Sequence, residues 1–116
     1  MGFKARTGYS LELAERARIA LGPVDVLERK MFGGLCFMVN GHMACGIVKD
    51  ELMVRVGKEA WEDTLALPHA RPMDFTGKPL TGFVYVGVPG LKTAAGLKAW
   101  VERGAKYARS LPPKYR

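Results

Sequence analysis

Between Lys30 and Val56 the apolar residues fall into three short runs, divided by Asn40-Gly41 and by Lys49-Asp50. Asn-Gly between apolar runs is a strong hairpin signal, because a type I′ turn needs positive φ at both central residues. With Asn40-Gly41 as the turn, Val39 pairs with His42, Met38 with Met43, Phe37 with Ala44 and Cys36 with Cys45. With Lys49-Asp50 as the next turn, Ile47 pairs with Leu52, Cys45 with Val54 and Met43 with Val56. Side chains alternate across a strand, so this meander sorts into two faces. One carries Cys36, Met38, Met43, Cys45, Ile47, Leu52, Val54 and Val56; being wholly apolar, it is the expected core. The other carries Leu35, Phe37, Val39, His42, Ala44, Gly46, Met53 and Arg55.

Outside the meander the pattern becomes helical at both ends. Ser10 is a suitable N-cap for a helix that stops at Gly22-Pro23, with Leu13, Ala17, Ala20 and Leu21 on one side and Tyr9 and Leu11 widening the stripe. A second helix is expected over 57–67, with Trp61 and Leu65 as its buried pair and Pro68 beyond its end. His69 to Thr76 reads as an extended segment, demoted to an edge by Pro72. Thr76-Gly77-Lys78-Pro79 is a turn, and Gly82 to Val88 a strand. The last helix spans about Thr93 to Ser110, with Leu97, Val101, Gly104, Ala105, Ala108 and Leu111 inward. The order is α-β-β-β-α-β-β-α, with an uncertain extra strand at 24–30. The economical arrangement is α+β: a single antiparallel sheet with the helices on one side, leaving its second face open.

Gly33-Gly34 at a strand start suggests a bulge. A phosphate-cradling loop is excluded there, since no helix follows and neither GxGxxG nor a Lys-Ser/Thr pair is present. At 116 residues the chain is expected to form one domain, 1–116. No apolar run approaches the ~20 residues of a membrane span, and no secretory pattern follows the basic start, so a cytoplasmic protein is expected. The net charge of +7 is concentrated late: residues 91–116 hold seven basic residues and one acidic.

The residues Leu21-Gly22-Pro23-Val24, the run RKMFGG at Arg29 to Gly34, Asn40-Gly41, Gly82-Phe83-Val84-Tyr85-Val86 and the final LPPK at Leu111 to Lys114 resemble the N-terminal domain of the TfoX/Sxy family. The resemblance implies a secretion-chaperone-like fold and a regulatory role without catalysis. Named members regulate bacterial competence genes, alongside the cyclic-AMP receptor protein, and carry a C-terminal helical domain that this sequence does not include. By the same resemblance the partner is a protein of the transcription machinery.

Catalysis would need a nucleophile–base pair or paired acids. The candidates are His42, His69, Asp50, Asp74, Cys36 and Cys45. Asp50 belongs to its turn, and His42 faces away from both cysteines, so no catalytic residue is assigned and the chain is read as no enzyme. Cys36 opposite Cys45 makes a cross-strand disulfide, or a soft-metal site with Met38 and Met43, geometrically conceivable. Core packing is the preferred reading, so no cofactor or metal is expected. Weak, phosphate-driven nucleic-acid binding would use Lys98, Arg103, Lys106, Arg109, Lys114 and Arg116, with Tyr115 for stacking. A protein interface, including a homodimer, would use Leu35, Phe37, Val39, Met53 and Arg55 on the open face.

Overall fold

The computed structural model describes residues 8–23, 25–31, 33–74 and 77–114. Predictions that involve Val24, Phe32, Phe75, Thr76, Tyr115 and Arg116 therefore lie outside the described residues.

The first helix, α1 (Leu11–Leu21), begins where predicted: the Ser10 hydroxyl accepts the Leu13 N–H at 3.1 Å, and the Gly22 N–H closes the last turn on the Arg18 carbonyl. Leu13, Ala14 and Ala17 are buried, as is Tyr9, whereas Leu11 is exposed and does not join the stripe. The last helix, α3 (Ala94–Ser110), starts at Thr93, whose side chain accepts the Gly96 N–H, and buries Leu97, Trp100, Val101, Gly104, Ala105 and Ala108. Between them, α2 (Lys58–Leu65) lays Trp61 and Leu65 against the same core, and the Trp61 indole donates to the Phe83 carbonyl at 2.9 Å.

Six strands form one antiparallel sheet: β1 (Val26–Met31), β2 (Gly34–Val39), β3 (His42–Val48), β4 (Glu51–Arg55), β5 (Ala70–Pro72) and β6 (Phe83–Val86), in the spatial order β1-β2-β3-β4-β6-β5. The uncertain segment is thus a full edge strand, β1. The opposite edge is β5, where Pro72 costs no interior ladder bond. Gly33 has φ +73 and belongs to the turn joining β1 to β2, so the paired glycines mark a hairpin rather than the expected bulge.

Both predicted turns of the meander form. Asn40 and Gly41 have φ +54 and +84, and Lys49 has φ +55. The β3–β4 pairs Cys45–Val54 and Ile47–Leu52 are as read from sequence, and so are Val39–His42 and Met38–Met43. The correction lies between them. The register shifts after Met38, so that Phe37 pairs with Cys45, Cys36 with Gly46 and Leu35 with Ile47. Ala44 is the extra residue of a β-bulge in β3. The face assignment of all of β2, and of Met43 on β3, is reversed: Leu35, Phe37 and Val39 lie under the helices, and Cys36, Met38 and Met43 lie on the other side. The helix α3 rests on the bulge, where a side chain at Gly104 would fall 2.1 Å from the Ala44 carbonyl oxygen.

One ion-pair cluster ties α1 to β1. Arg18 donates to Glu28 and to Glu15 on its own helix. The Arg18 hydrogen bonds hold the Glu28 carboxyl below the usual carboxylate value. A lowered folded-state value stabilises above the unfolded value and is lost as pH falls through it. Arg18→Gln should therefore flatten the acid side of the stability profile, by no more than about 1 kcal/mol for so exposed a pair. Urea midpoints for the two proteins at pH 7 and in the acid range measure this.

Candidate functional site

Two surfaces of this fold carry chemistry. The first is the sheet face opposite the helices. Met31, Cys36, Met38, Met43, Met53, Met73, Phe83 and Tyr85 come together there from five strands and the segment after β5. None of the three helices contributes to it, since their buried residues belong to the clusters on the other side. Its middle is closed by its own side chains. Gly46 provides the room, because a side chain there would meet the Met53 methyl at 2.8 Å and the Cys36 sulfur at 3.1 Å. Met53 and Met73 are fully buried. The outer layer is Met31, Met38, Phe83 and Tyr85, all half-buried, bordered by Leu27 with 64% of its surface exposed. Exposed Arg29 sits on β1 beside it, and Arg71 lies over the Tyr85 ring while bonded to Glu51.

The second surface is a hollow where β4 turns into α2, beside the start of β6 and the end of α3. Arg55, the last residue of β4, is half-buried, and its guanidinium carbon lies 5.8 Å from the Phe83 ring centroid and 5.3 Å from that of Tyr107. These are cation–π distances. Gly57 follows with φ +86, and a side chain there would fall 2.4 Å from the Tyr107 ring, so the ring lies directly on the backbone. The cavity so formed measures ≈ 580 Å³. A neighbouring hollow of ≈ 350 Å³ shares Val56, Ala60, Tyr107 and Ser110 with it and adds Arg103 and Lys106.

The cysteines do not pair. Cys36 lies on the methionine face and Cys45 in the core beneath the helices, and both are free thiols. Burial pushes the Cys36 thiol up to about 11 and Cys45 up to about 12, so both stay protonated at neutral pH. The expected cross-strand contact fails because the bulge sets Gly46, not Cys45, opposite Cys36. Cys36, Met38 and Met43 do share a face. His42 is committed elsewhere: its Nε2–H donates to the Pro112 carbonyl at 2.6 Å, while the Lys114 N–H donates to the Asn40 carbonyl at 2.8 Å. Together these bonds fasten the LPPK segment to the β2–β3 turn. Among the described residues, no three His, Cys, Asp or Glu side chains converge as a metal site, and no helix is long and apolar enough to cross a membrane.

The family model of the TfoX N-terminal domain matches residues 20–108. The chain belongs to this family. The match takes in all six strands, α2 and most of α3, and with them Arg55, Gly57, Phe83 and Tyr107. Neither the curated proteins nor the solved structures gave a match.

Within this TfoX N-terminal domain the residues expected at an open interface are redistributed. Leu35, Phe37 and Val39 are buried under the helices, Met53 is buried within the opposite face, and of the five only Arg55 keeps accessible surface of consequence. The reason is the bulge, which no alternation of polar and apolar residues announces, since both faces of β2 and β3 are apolar. Of the basic residues, Lys98, Arg103, Lys106, Arg109 and Lys114 are exposed. Lys98 pairs with Glu102 at 3.9 Å, and Arg103 lies 5.1 Å over Trp100. Arg116 lies outside the described residues. Sequence reasoning missed Met31, Met73 and Tyr107 as surface-forming residues. The sequence signal for Tyr107 was Gly57, on which its ring is seated.

Proposed function

We propose a regulatory domain that acts by contact with another protein through the methionine-lined sheet face, in the competence or transcription setting that the family resemblance implies. The observation that carries this reading is a sheet face of methionines and aromatics on which, among the described residues, no helix packs, edged by exposed Leu27. Methionine is flexible and polarizable and suits a surface that must fit a partner. Methionine, aromatic and arginine side chains are also the types enriched where proteins meet. The excess positive charge opposes close approach of a second copy and favours a partner with an acidic rim around an apolar centre. Homodimerisation through the same face is the competing form of this reading.

The double variant Leu27→Glu, Met38→Glu tests it, because both positions reach the surface and neither supports the helix-side core. The variant should keep the wild-type circular dichroism and lose whatever binds the wild type in a pull-down from bacterial lysate. Light scattering over a range of concentrations separates a foreign partner from a second copy. Undiminished capture by the variant would sink the assignment to this face.

A second reading has its own observation: Arg103, Lys106 and Arg109 are exposed on consecutive turns of α3. Such a row suits phosphate-driven contact with nucleic acid, whose affinity falls steeply with salt. Fluorescence anisotropy with an arbitrary DNA duplex at low and moderate salt distinguishes it from the first.

A further inference from the structure

The geometry points to a ligand site in the hollow at the β4–α2 corner, for a small organic oxyanion: a carboxylate or a phosphate monoester carried on an apolar body. This inference does not rest on the protein-contact reading, since it concerns a hollow and a different kind of ligand, although Phe83 borders both surfaces.

Among the described residues Arg16, Arg18 and Arg55 are the half-buried arginines. Arg16 donates to the Leu91 carbonyl at 2.7 Å, and Arg18 donates to two carboxylates. Arg55 has ring contacts alone, with Phe83 and Tyr107. Aromatic rings hold a guanidinium in place but offer no oxygen acceptor to its five N–H donors. A partly desolvated guanidinium with an open fork is suited to bidentate capture of a carboxylate or phosphate.

Its surroundings complete the site. The ≈ 580 Å³ cavity falls within the range of small-molecule pockets, roughly 300–1,000 Å³. Its charged rim has Arg55 and Lys58 against the single carboxylate of Glu59. Arg103 and Lys106, in the adjoining hollow, add field of the same sign. Thr81 lines the cavity with a hydroxyl, whereas the Ser110 hydroxyl is already donated to the Tyr107 carbonyl at 2.6 Å. The other half is apolar, formed by Val56, Ala60 and the two rings, which sets the requirement for an apolar body as well as a charge. The Tyr107 ring is seated on Gly57, so this wall is in place before anything binds, which lowers the ordering cost of capture.

The experiment is a titration of the isotopically labelled full chain, followed by amide chemical shifts. The probes are phenyl phosphate and benzoate, with phenol as the uncharged control and inorganic phosphate as the control without an apolar body. Saturable shifts are expected at Gly57, Lys58 and Gly82 with both organic anions, below about 10 mM, and weaker ones with either control. The ratio of the two anions' affinities tells phosphate from carboxylate as the ligand's group. Arg55→Gln should weaken binding by about tenfold or more, while Arg29→Gln, on the exposed side of β1, leaves it unchanged. If Arg55→Gln does not fold, the exposed Lys58→Gln serves in its place and should weaken binding by about two- to threefold. The proposal is overturned by the absence of saturable shifts with either organic anion, by equal affinity for phenol, or by a folded Arg55→Gln or Lys58→Gln that binds as the wild type does.

Discussion

Phe37→Ala is expected to lower the unfolding free energy by about 3–5 kcal/mol, and Met38→Ala by about 1 kcal/mol or less. Phe37 is the largest of the fully buried side chains, closed in under the helices, and deleting its ring leaves a void that rigid strands cannot collapse around. Met38 is half-buried on the opposite face, where flexible methionine neighbours can fill in. Urea unfolding of the two variants beside the wild type measures the difference directly. Without the bulge at Ala44, Phe37 would stand on the open face and Met38 in the core. A larger loss for Met38→Ala than for Phe37→Ala would therefore contradict the register described above.

Gly104→Ala should also destabilise strongly, although alanine is favoured over glycine within a helix by about 1 kcal/mol. The added methyl would lie 2.1 Å from the Ala44 carbonyl oxygen and 2.9 Å from its carbon. These are backbone atoms of a central strand and cannot swing aside. Relief requires lifting α3 from the sheet, along with the packing of Val101 and Ala108 on either side. Overpacking of this kind costs about 1–3 kcal/mol, occasionally more, so the clash outweighs the propensity gain. Gly104→Val, larger and without that gain, should be worse. Thermal and urea midpoints for the pair test the ordering; an alanine variant more stable than wild type would show that α3 does not sit this close to the sheet.

Much of the architecture was legible because its signals are local. Ser10 and Thr93 cap helices with their own hydroxyls, and Asn40-Gly41 takes up the positive φ that a tight turn requires. Helix periodicity named the buried stripe of α3 nearly residue by residue. The phase of β2 was not legible, because Leu35 to Val39 is apolar at every position and alternation then carries no direction. What decides it is long-range: α3, some sixty residues later in the chain, packs Gly104 against the bulged strand. The candidate site divides in the same way. Arg55 could be singled out in sequence as a charge within an apolar strand, but its setting depends on Phe83 and Tyr107, which are distant along the chain. Of the methionine face, Cys36, Met38 and Met43 were read as core because the bulge was not foreseen, while Met53 was placed on the open face.

The bulge can also be described as a matter of parity. Counting outward from the Asn40-Gly41 turn, β2 and β3 agree in step for two pairs and are then offset by a single residue for the rest of the ladder. Odd and even positions of β2 thereby exchange which side of the sheet they share with β3. A ladder that kept its first step throughout would instead set Cys36 and Met38 on the same side as Cys45 and Ile47. Leu35 and Phe37 would turn outward with it. The protein's inside and outside are thus distinguished at this hairpin by one skipped residue in the pairing rather than by the character of the side chains. A β3 paired without the skip would keep every hydrophobic side chain and still turn the wrong ones outward.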